Sequence, residues 1–426
     1  AVAWWAAMYP GLFGEDSLIT LGQARSGDIT VWFTAWWVWL IKAFSLNTHA
    51  IPALTLAGVL IFTFSIRDWA RAVLPAGEAR TWAIVVLCAT PLVGGLGIQV
   101  RHDAWMTSGF LLALAAVARA STNGRLAASD YIRLIAAVWL IPTPHNGLGT
   151  LIVTAVLCGI TMPGNRRIVF PSLIAVAAGV FLVTQGATLA AGRPHSIDPA
   201  QAVEWMMADV SCLAADGAVQ LTDAEWAGLE PIADKTDWPQ PVACRFVSPL
   251  FIAPSFKIGA VEAATPGLVR TWLSLLRRHP LKLTFVHVRR VNLFLPPFVA
   301  GVPQQTHTPF IHSTILPNDF GLEWAWPRVA ELARLPMRAW NALRAVLANA
   351  AIWLIVMAFV SWRRHDLRLT LGPTLAACVA LELGLLATAP IAEGRYGLLI
   401  LVVGQLLAVF LVFERWWASP SALKAA

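Results

Sequence analysis

The chain has 426 residues, of which 58% are hydrophobic and only 13% are charged, and its mean hydropathy is +0.65. Soluble domains are close to half apolar and about a quarter charged, so this composition excludes an ordinary cytosolic enzyme, a disordered chain and a typical basic nucleic-acid-binding protein. The formal net charge of +7 is compatible with a membrane topology, an acidic lipid or an acidic substrate. The 21 Trp residues favour a membrane protein, because Trp is enriched where a membrane meets water.

Long apolar segments predict an all-α integral membrane protein with about ten transmembrane helices. A helix that crosses a bilayer needs about 20 apolar residues with almost no charge. We interpret residues 1–9 as the end of a first, truncated helix whose beginning is missing. The segments that qualify further along the chain are 50–66, 82–99, 104–118, 168–192, 346–362, 369–390 and 396–413.

Two further apolar segments do not have the pattern of ordinary spanning helices. Segment 134–161 is interrupted by Pro142 and Pro144, and proline removes a backbone donor and clashes with the preceding turn. It predicts two short helices that meet at a kink within the membrane. Segment 31–45 has four Trp and one Lys and is short for a span, so we expect an interfacial helix on the outer face.

Charge distribution predicts the orientation of the chain. With this set of spans, all the strongly basic short loops fall on one side, where they contain 13 basic and five acidic residues, a net charge of +8. Region 193–345 has a net charge of +1, and the remaining outer loops and spans have −2. Lys and Arg accumulate in cytoplasmic loops, so the basic excess indicates the orientation of the chain in a membrane and not a binding site.

The same pattern divides the chain into three parts. Residues 1–192 form an N-terminal transmembrane module, 193–345 an extracytoplasmic insert, and 346–426 the C-terminal transmembrane helices. Two of the five cysteines, Cys212 and Cys244, lie in the insert. On an oxidising outer face, such a pair is expected to form a disulfide.

Segment 268–294 of the insert combines helical apolar spacing with a cluster of arginines and lysines. One interpretation is an interfacial helix whose basic residues lie near lipid headgroups or a lipid phosphate. The other is a helix that packs the insert onto the transmembrane spans.

The outer loops contain few acids, and their positions suggest a site. The candidate residues at these loops are Glu15, Asp16, Arg101, His102, Asp103, Glu393, Arg395 and Tyr396, and His145 at the kink of segment 134–161 is a further candidate. Each also has a structural alternative. Asp16 can cap a helix, Asp103 can pair with Arg101, and a Glu393–Arg395 pair at the rim contributes little. Glu382, within a span, is expected to be a buried structural partner.

This set of side chains suits sugar transfer from a lipid-phosphate donor. A carboxylate in the first outer loop can act as general base on the acceptor hydroxyl. Arg101 or His145 can stabilise the departing lipid phosphate, whose charge grows as the glycosidic bond breaks. The donor is already activated, so no nucleotide-binding motif is needed. The sequence contains no P-loop, no GxGxxG following a strand and no hydrolase elbow.

Several short motifs resemble those of the GT-C class of membrane glycosyltransferases, which use polyprenyl-phosphate sugars. The resemblance is carried by YPG, EDS and QARSG within 9–27, RHD at 101–103, HNG at 145–147, EGRY at 393–396, ADVSCLAADG at 208–217 and RRHPLKLTFVHVRR at 277–290. It implies a GT-C-like helical bundle, with Asp16 as the base and Asp103 as a second acid that places the acceptor or a metal. It also implies that Arg395 contacts the donor phosphate. Some members bind a divalent metal such as Mg²⁺ or Mn²⁺, and the sequence leaves this open here.

The sequence therefore predicts a glycosyltransferase with its active site facing outward. We expect it to transfer a monosaccharide from a polyprenyl phosphate to a glycan, lipid or protein of the envelope, with membrane lipids but no nucleic acid as further partners. A lipid-linked sugar transporter or flippase is the main alternative, and it predicts repeats and paired broken helices in both halves. A non-catalytic envelope scaffold would explain the insert but not the acids of the outer loops.

Overall fold

A computed structural model of the chain describes residues 2–13, 15–29, 33–44, 51–143, 146–193, 195, 197–244, 248–291, 326–388 and 397–422. Four candidate residues, His145, Glu393, Arg395 and Tyr396, lie outside the described residues, as does the side chain of Glu15. The described residues are almost entirely helical, and the β-type pairing among them is a single parallel bridge between Leu12 and Gln99. The prediction of an all-α protein is confirmed.

The α-helices of the described residues are numbered in chain order. They are α1 (Val2–Ala7), α2 (Glu15–Ser26), α3 (Ala35–Phe44), α4 (Ile51–Val73), α5 (Glu78–Ala89), α6 (Pro91–Gly97), α7 (His102–Asn123), α8 (Ala128–Leu140), α9 (Gly147–Thr161), α10 (Arg166–Ala190), α11 (Pro199–Ala215), α12 (Asp223–Leu229), α13 (Ser248–Phe251), α14 (Val261–Arg278), α15 (Pro280–Arg290), α16 (Pro327–Ala342), α17 (Arg344–Leu347), α18 (Ala350–Arg363), α19 (Arg368–Thr388) and α20 (Leu398–Ala422).

Five helices are long and apolar enough to cross a membrane. The segments are Ile51–Val73, Asp103–Asn123, Arg166–Ala190, His365–Thr388 and Leu398–Trp416. The bent pair α5 and α6 makes a sixth if it forms one span. Helices α3, α9 and α18 are apolar but shorter, with 10, 15 and 14 residues. The chain is thus a helical protein with several candidate membrane spans, and the figure of about ten stays a prediction.

Proline marks both breaks in the apolar segments. The predicted break in 134–161 is confirmed, because α8 ends at Leu140 and α9 begins at Gly147, on either side of Pro142. The predicted span 82–99 has a break that the sequence analysis did not predict. Its two helices, α5 and α6, meet at an angle of 55° next to Pro91. The preceding residue Thr90 is extended, as residues before proline tend to be.

Contacts between residues divide the described chain into two units. Unit 1 contains the residues up to 195 together with 326–382 and 397–422, and unit 2 contains 197–291 and 383–388. Helix α16 and the start of α17, which lie in the predicted insert 193–345, belong to unit 1, where α16 packs against α1 and α6. The extracytoplasmic position of the insert stays a prediction.

Unit 1 is organised around α7. Nearly every residue of this helix is buried, and it packs against α4, α8 and α10. Helix α10 also packs against α9, and α20 packs against α5 and α18. Gly124, with a φ of 68°, ends α7 in the left-handed conformation that favours glycine.

An ion-pair network joins three helices of unit 1. Asp68 of α4 accepts hydrogen bonds from Arg119 of α7 and Arg133 of α8, each with a closest distance of 2.7 Å. Asp130 lies 3.7 Å from Arg119 and 3.5 Å from Arg133. A half-buried network of this kind holds helices in register because each charge has several partners.

Unit 2 has a hydrophobic core of its own. Met207, Leu213, Trp238 and Leu268 are fully buried within it, on α11, α14 and the segment that follows α12. The predicted disulfide is confirmed: Cys212 and Cys244 are bonded, with Cα atoms 4.8 Å apart. The bond joins α11 to the turn at Pro241–Cys244.

The basic segment 268–294 takes part in packing unit 2. Leu268, Leu275 and Leu283 of this segment are buried in the core. Three of its basic residues pair within the unit, Arg278 with Glu225, Lys282 with Asp216 and Arg290 with Asp209. Both interpretations of the segment, an interfacial helix and a helix that packs the insert onto the spans, stay predictions.

Candidate functional site

Two motifs that lie about 85 residues apart in sequence meet in unit 1. The backbone N–H of Leu12 donates to the carbonyl of Ile98 at 3.1 Å, and that of Val100 donates to the carbonyl of Leu12 at 3.0 Å. The hydroxyl of Ser17 donates to the carbonyl of Val100 at 2.7 Å. The first turn of α2, which contains EDS, therefore lies beside the segment that leads into α7, at whose start RHD lies.

Asp16 lies in the first turn of α2 and is partly open to solvent. Its carboxylate oxygen Oδ2 is 3.5 Å from Nη2 of Arg101, and the side chain is 27% exposed, against 7% for Arg101. The pair presents an anion that solvent can reach next to a buried cation.

Asp103 occupies the first turn of α7 and is nearly closed off from solvent. Its side chain is 5% exposed, and Oδ1 lies 3.8 Å from Nε2 of His102. Both acids of the site thus lie at helix N-termini, where the helix dipole stabilises negative charge. The low exposure suits Asp103 to a role in placing other groups.

His102 is held by aromatic rings and by the break between α8 and α9. The rings of Trp37 and Phe33 have centroids 6.2 and 6.4 Å from the imidazole. The hydroxyl of Thr143 donates to the carbonyl of His102 at 3.3 Å, and the hydroxyl of Thr34 donates to the carbonyl of Thr143 at 2.7 Å. Thr143, in the break between α8 and α9, is therefore hydrogen-bonded to the candidate site.

Arg193 is a cation of unit 1 that the sequence analysis did not select. It is 6% exposed, and its Nη1 donates to the carbonyl of Phe33 at 2.8 Å. Phe33 is also the residue whose ring faces His102. The signal that could have identified Arg193 is its position at the predicted outer end of segment 168–192, where the charge bias of membrane proteins disfavours arginine.

A metal ion would need additional ligands beyond those that the structure places here. Across the described part of the chain, no group of three His, Cys, Asp or Glu side chains is arranged to hold one. Asp16 and Asp103 are the described acids of the site, and Arg101 already pairs with the first. We therefore derive no chemical step through a metal.

Unit 2 contains a second cluster of polar side chains, around Asp209. This carboxylate is fully buried, 2.7 Å from Nη1 of Arg290, 3.1 Å from Nδ1 of His287 and 3.1 Å from Nε1 of Trp272. Burial works to raise the pKa of Asp209, but the charge of Arg290 and the contacts of His287 outweigh it, so the pKa lies below its ordinary value of 3.8. The cluster fixes α15 to α11.

His287 extends this cluster to the end of α19. Its Nε2 lies 2.8 Å from the carbonyl oxygen of Leu386, which can only accept, so Nε2 carries the hydrogen. Leu386 is in the last turn of α19, where backbone carbonyls lack helical partners. All these groups have partners inside unit 2, which indicates a structural role.

The predicted site residues therefore fall into three groups. Asp16, Arg101, His102 and Asp103 come together in unit 1, and Glu15 begins the same helix as Asp16. The two disulfide cysteines lie in unit 2. The remaining four lie outside the described residues.

No protein-family model, curated protein or solved structure matches the chain. The carboxylate of Asp16 is placed where it can accept a proton. The guanidinium of Arg101 beside it can bind an anion such as a phosphate.

Proposed function

We propose that the protein is a membrane glycosyltransferase that moves a monosaccharide from a polyprenyl phosphate to a hydroxyl of an envelope glycan, lipid or protein. The observation that carries this proposal is the contact between Asp16 and Arg101. A partly exposed carboxylate beside a cation supplies the two groups that the transfer needs, one for the acceptor proton and one for the leaving phosphate.

In the proposed reaction, Asp16 acts as the general base. Its carboxylate takes the proton of the acceptor hydroxyl while the acceptor oxygen forms a bond to the anomeric carbon of the sugar. The bond between that carbon and the phosphate oxygen breaks, and polyprenyl phosphate leaves with the electron pair. Asp16 suits this role because its side chain is 27% exposed, whereas that of Asp103 is 5% exposed. Asp103 would orient His102 and the acceptor.

Cationic groups would stabilise the leaving phosphate. Arg101 is the described candidate, and Arg395 and His145 are proposed for the same role from the sequence. The N-terminal turns of α2 and α7 lie side by side and add backbone N–H groups that attract anions. Glu15, His102, Glu393 and Tyr396 are proposed as supporting residues.

The disulfide supports an outward-facing location. Disulfides persist in oxidising compartments, and Cys212–Cys244 lies in the part of the chain that the charge distribution assigns to the outer side. We therefore propose a bacterial cytoplasmic membrane protein with its site on the extracytoplasmic face.

A lipid-linked sugar flippase is the second candidate, and the two helix breaks favour it. Discontinuous helices form substrate sites in many transporters, and α5–α6 and α8–α9 are both interrupted. Both breaks fall in the first half of the chain, whereas a repeat-built transporter needs matching breaks in the second half. The apolar helices described in that half, α18, α19 and α20, are continuous. We therefore favour the transferase.

The replacement Asp16→Asn tests the proposal. It keeps the shape of the side chain but removes the base, so we expect the rate of polyprenyl phosphate release to fall by about 10²-fold or more. The assay uses membranes that contain the full chain and a panel of radiolabelled polyprenyl-phosphate hexoses and pentoses.

Asp28→Asn is the matched control. Asp28 is an exposed acid two residues after the end of α2, and we expect this variant to retain full activity. Equal protein levels and gel-filtration profiles would show that both variants fold. Release by Asp16→Asn at the wild-type rate would remove Asp16 from the mechanism.

A further inference from the structure

A groove in unit 1 lies apart from the candidate active site. It has a volume of about 580 Å³, within the range of ligand-binding clefts. Its walls are the end of α9, the turn that joins α9 to α10, and the first half of α19. None of its lining residues belongs to the candidate site. The lining residues include Leu157, Thr161, Asn165, Arg368, Leu375 and Val379.

The groove is apolar along its length and polar at one end. Helix α19 contributes residues 369, 372, 375, 376 and 379, a spacing that keeps them on one helical face. From residue 368 to 379 this face extends for about 16 Å at the rise of an α-helix. The polar lining residues are Arg368, which begins α19, Thr161, which ends α9, and Asn165, which precedes α10. The groove is therefore suited to an amphiphilic ligand, because it has a polar end and an apolar body.

The polar end has exposed arginines at it and next to it in the chain. Arg368 is exposed, and within the described residues its guanidinium makes one hydrogen bond, from Nε to the carbonyl of Ser361 at 3.3 Å. Arg166 and Arg167 follow the lining residue Asn165 directly, and both are exposed. In the described part of the chain, none of these three arginines has a carboxylate within ion-pair distance.

Neighbouring side chains place this end near a membrane surface. Trp362, six residues before Arg368, is 60% exposed, and Arg363 lies over its ring at 4.9 Å from the centroid. Exposed Trp and Arg at the end of an apolar helix are typical of the membrane–water interface. Helices α10 and α19, which begin beside the groove, are both candidate spans. The apolar body of the groove therefore points into the depth of the bilayer.

We propose that this groove is a binding site for an anionic phospholipid. The headgroup phosphate lies at Arg368, with Arg166 and Arg167 nearby, and one acyl chain lies along α19 toward Val379. Basic pockets between transmembrane helices bind anionic headgroups in this way. This inference does not depend on the proposed transferase activity.

Photolabelling of the full chain tests the site. The protein is reconstituted in phosphatidylcholine vesicles that contain either phosphatidylglycerol or phosphatidylcholine with a photoreactive group on one acyl chain, and labelled peptides are identified by mass spectrometry. We expect the phosphatidylglycerol probe to label residues 157–165 and 369–379 and to exceed the phosphatidylcholine probe. Arg368→Gln should lower that labelling about fivefold, since one basic group near a lipid phosphate has an effect of this size.

Arg125→Gln is the matched control. Arg125 is exposed and lies outside the groove, on the side of the membrane to which Arg368 is also assigned, so this variant should label as wild type does. Thermal midpoints within a few degrees of wild type would show that both variants fold. Equal labelling by the two probes, labelling confined to other helices, or equal losses in the two variants would overturn the proposal.

Discussion

Asp16 and Asp103 share a residue type and a position in the first turn of a helix, but their side chains differ in exposure. An acceptor hydroxyl must reach the base within hydrogen-bond distance, which a side chain that is 27% exposed permits better than one that is 5% exposed. The neighbouring His102 lies against Trp37 and Phe33 and is less free to move. These differences assign the proposed roles within the site.

Asp209 allows a test of stability at the residue scale. Asp209→Asn would leave Arg290 buried without its charge partner, a change that costs about 3–5 kcal/mol. We expect hydrogen exchange of α11 and α15 in the full chain to become faster. The control Asp216→Asn removes an exposed pair with Lys282, which is worth at most about 1 kcal/mol.

The ion pair between Asp209 and Arg290 also predicts a pH dependence of stability. The pKa of Asp209 is lower in the folded protein than its ordinary value of 3.8, so its stabilising contribution is complete above that value and is lost as the pH falls through the folded pKa. The difference in protection between wild type and Asp209→Asn should therefore be largest at neutral pH and shrink below about pH 3.8. A difference that grows with acidification would contradict this account.

Breaks in the helices show what can be predicted at the element scale. Pro142 and Pro144 interrupt a segment whose polar residues also argue for a loop, so the break between α8 and α9 could be predicted. Pro91 stands alone in segment 82–99, and proline in the first turn of a helix is tolerated. The sequence therefore did not distinguish one kinked helix from two helices at 55°.

The disulfide was predictable because Cys212 and Cys244 are the two cysteines outside the predicted spans. The Asp209 cluster was not, since its partners lie 78 and 81 positions away and no local pattern links them. The bridge between Leu12 and Gln99 is likewise a long-range pairing of single residues. The motifs therefore select candidate residues, and long-range backbone pairing, which the sequence does not predict, brings Asp16 and Arg101 together.

The disulfide provides a prediction for unit 2. Cys212 and Cys244 close a loop with a sequence separation of 32, for which loss of the bond costs about 3–4 kcal/mol. The double replacement Cys212→Ala and Cys244→Ala should speed hydrogen exchange of α11 and α12. Cys88→Ala, a free buried thiol of unit 1, should leave these helices unchanged. Equal exchange in all three proteins would show that the bond is not stabilising.

At the scale of the whole molecule, the composition and the structure agree on a helical protein with several candidate membrane spans. The net charge of +7 is distributed unevenly, with the basic excess in the predicted inner loops. Part of that excess is paired, since Arg119 and Arg133 bind Asp68. Arg368 lines the proposed lipid groove, and Arg166 and Arg167 follow its lining residue Asn165 in the chain. The outer loops, with a small acidic excess, carry the proposed chemistry.

Transfer by the purified wild-type chain tests the central claim most directly. The protein in detergent is incubated with each radiolabelled polyprenyl-phosphate sugar and an envelope extract, and the release of polyprenyl phosphate is measured together with the labelled product. A transferase needs no sealed compartment, so the account predicts release and a labelled acceptor with at least one donor. No release from any donor in detergent, together with movement of the intact donor across sealed vesicles, would contradict the account and identify a flippase.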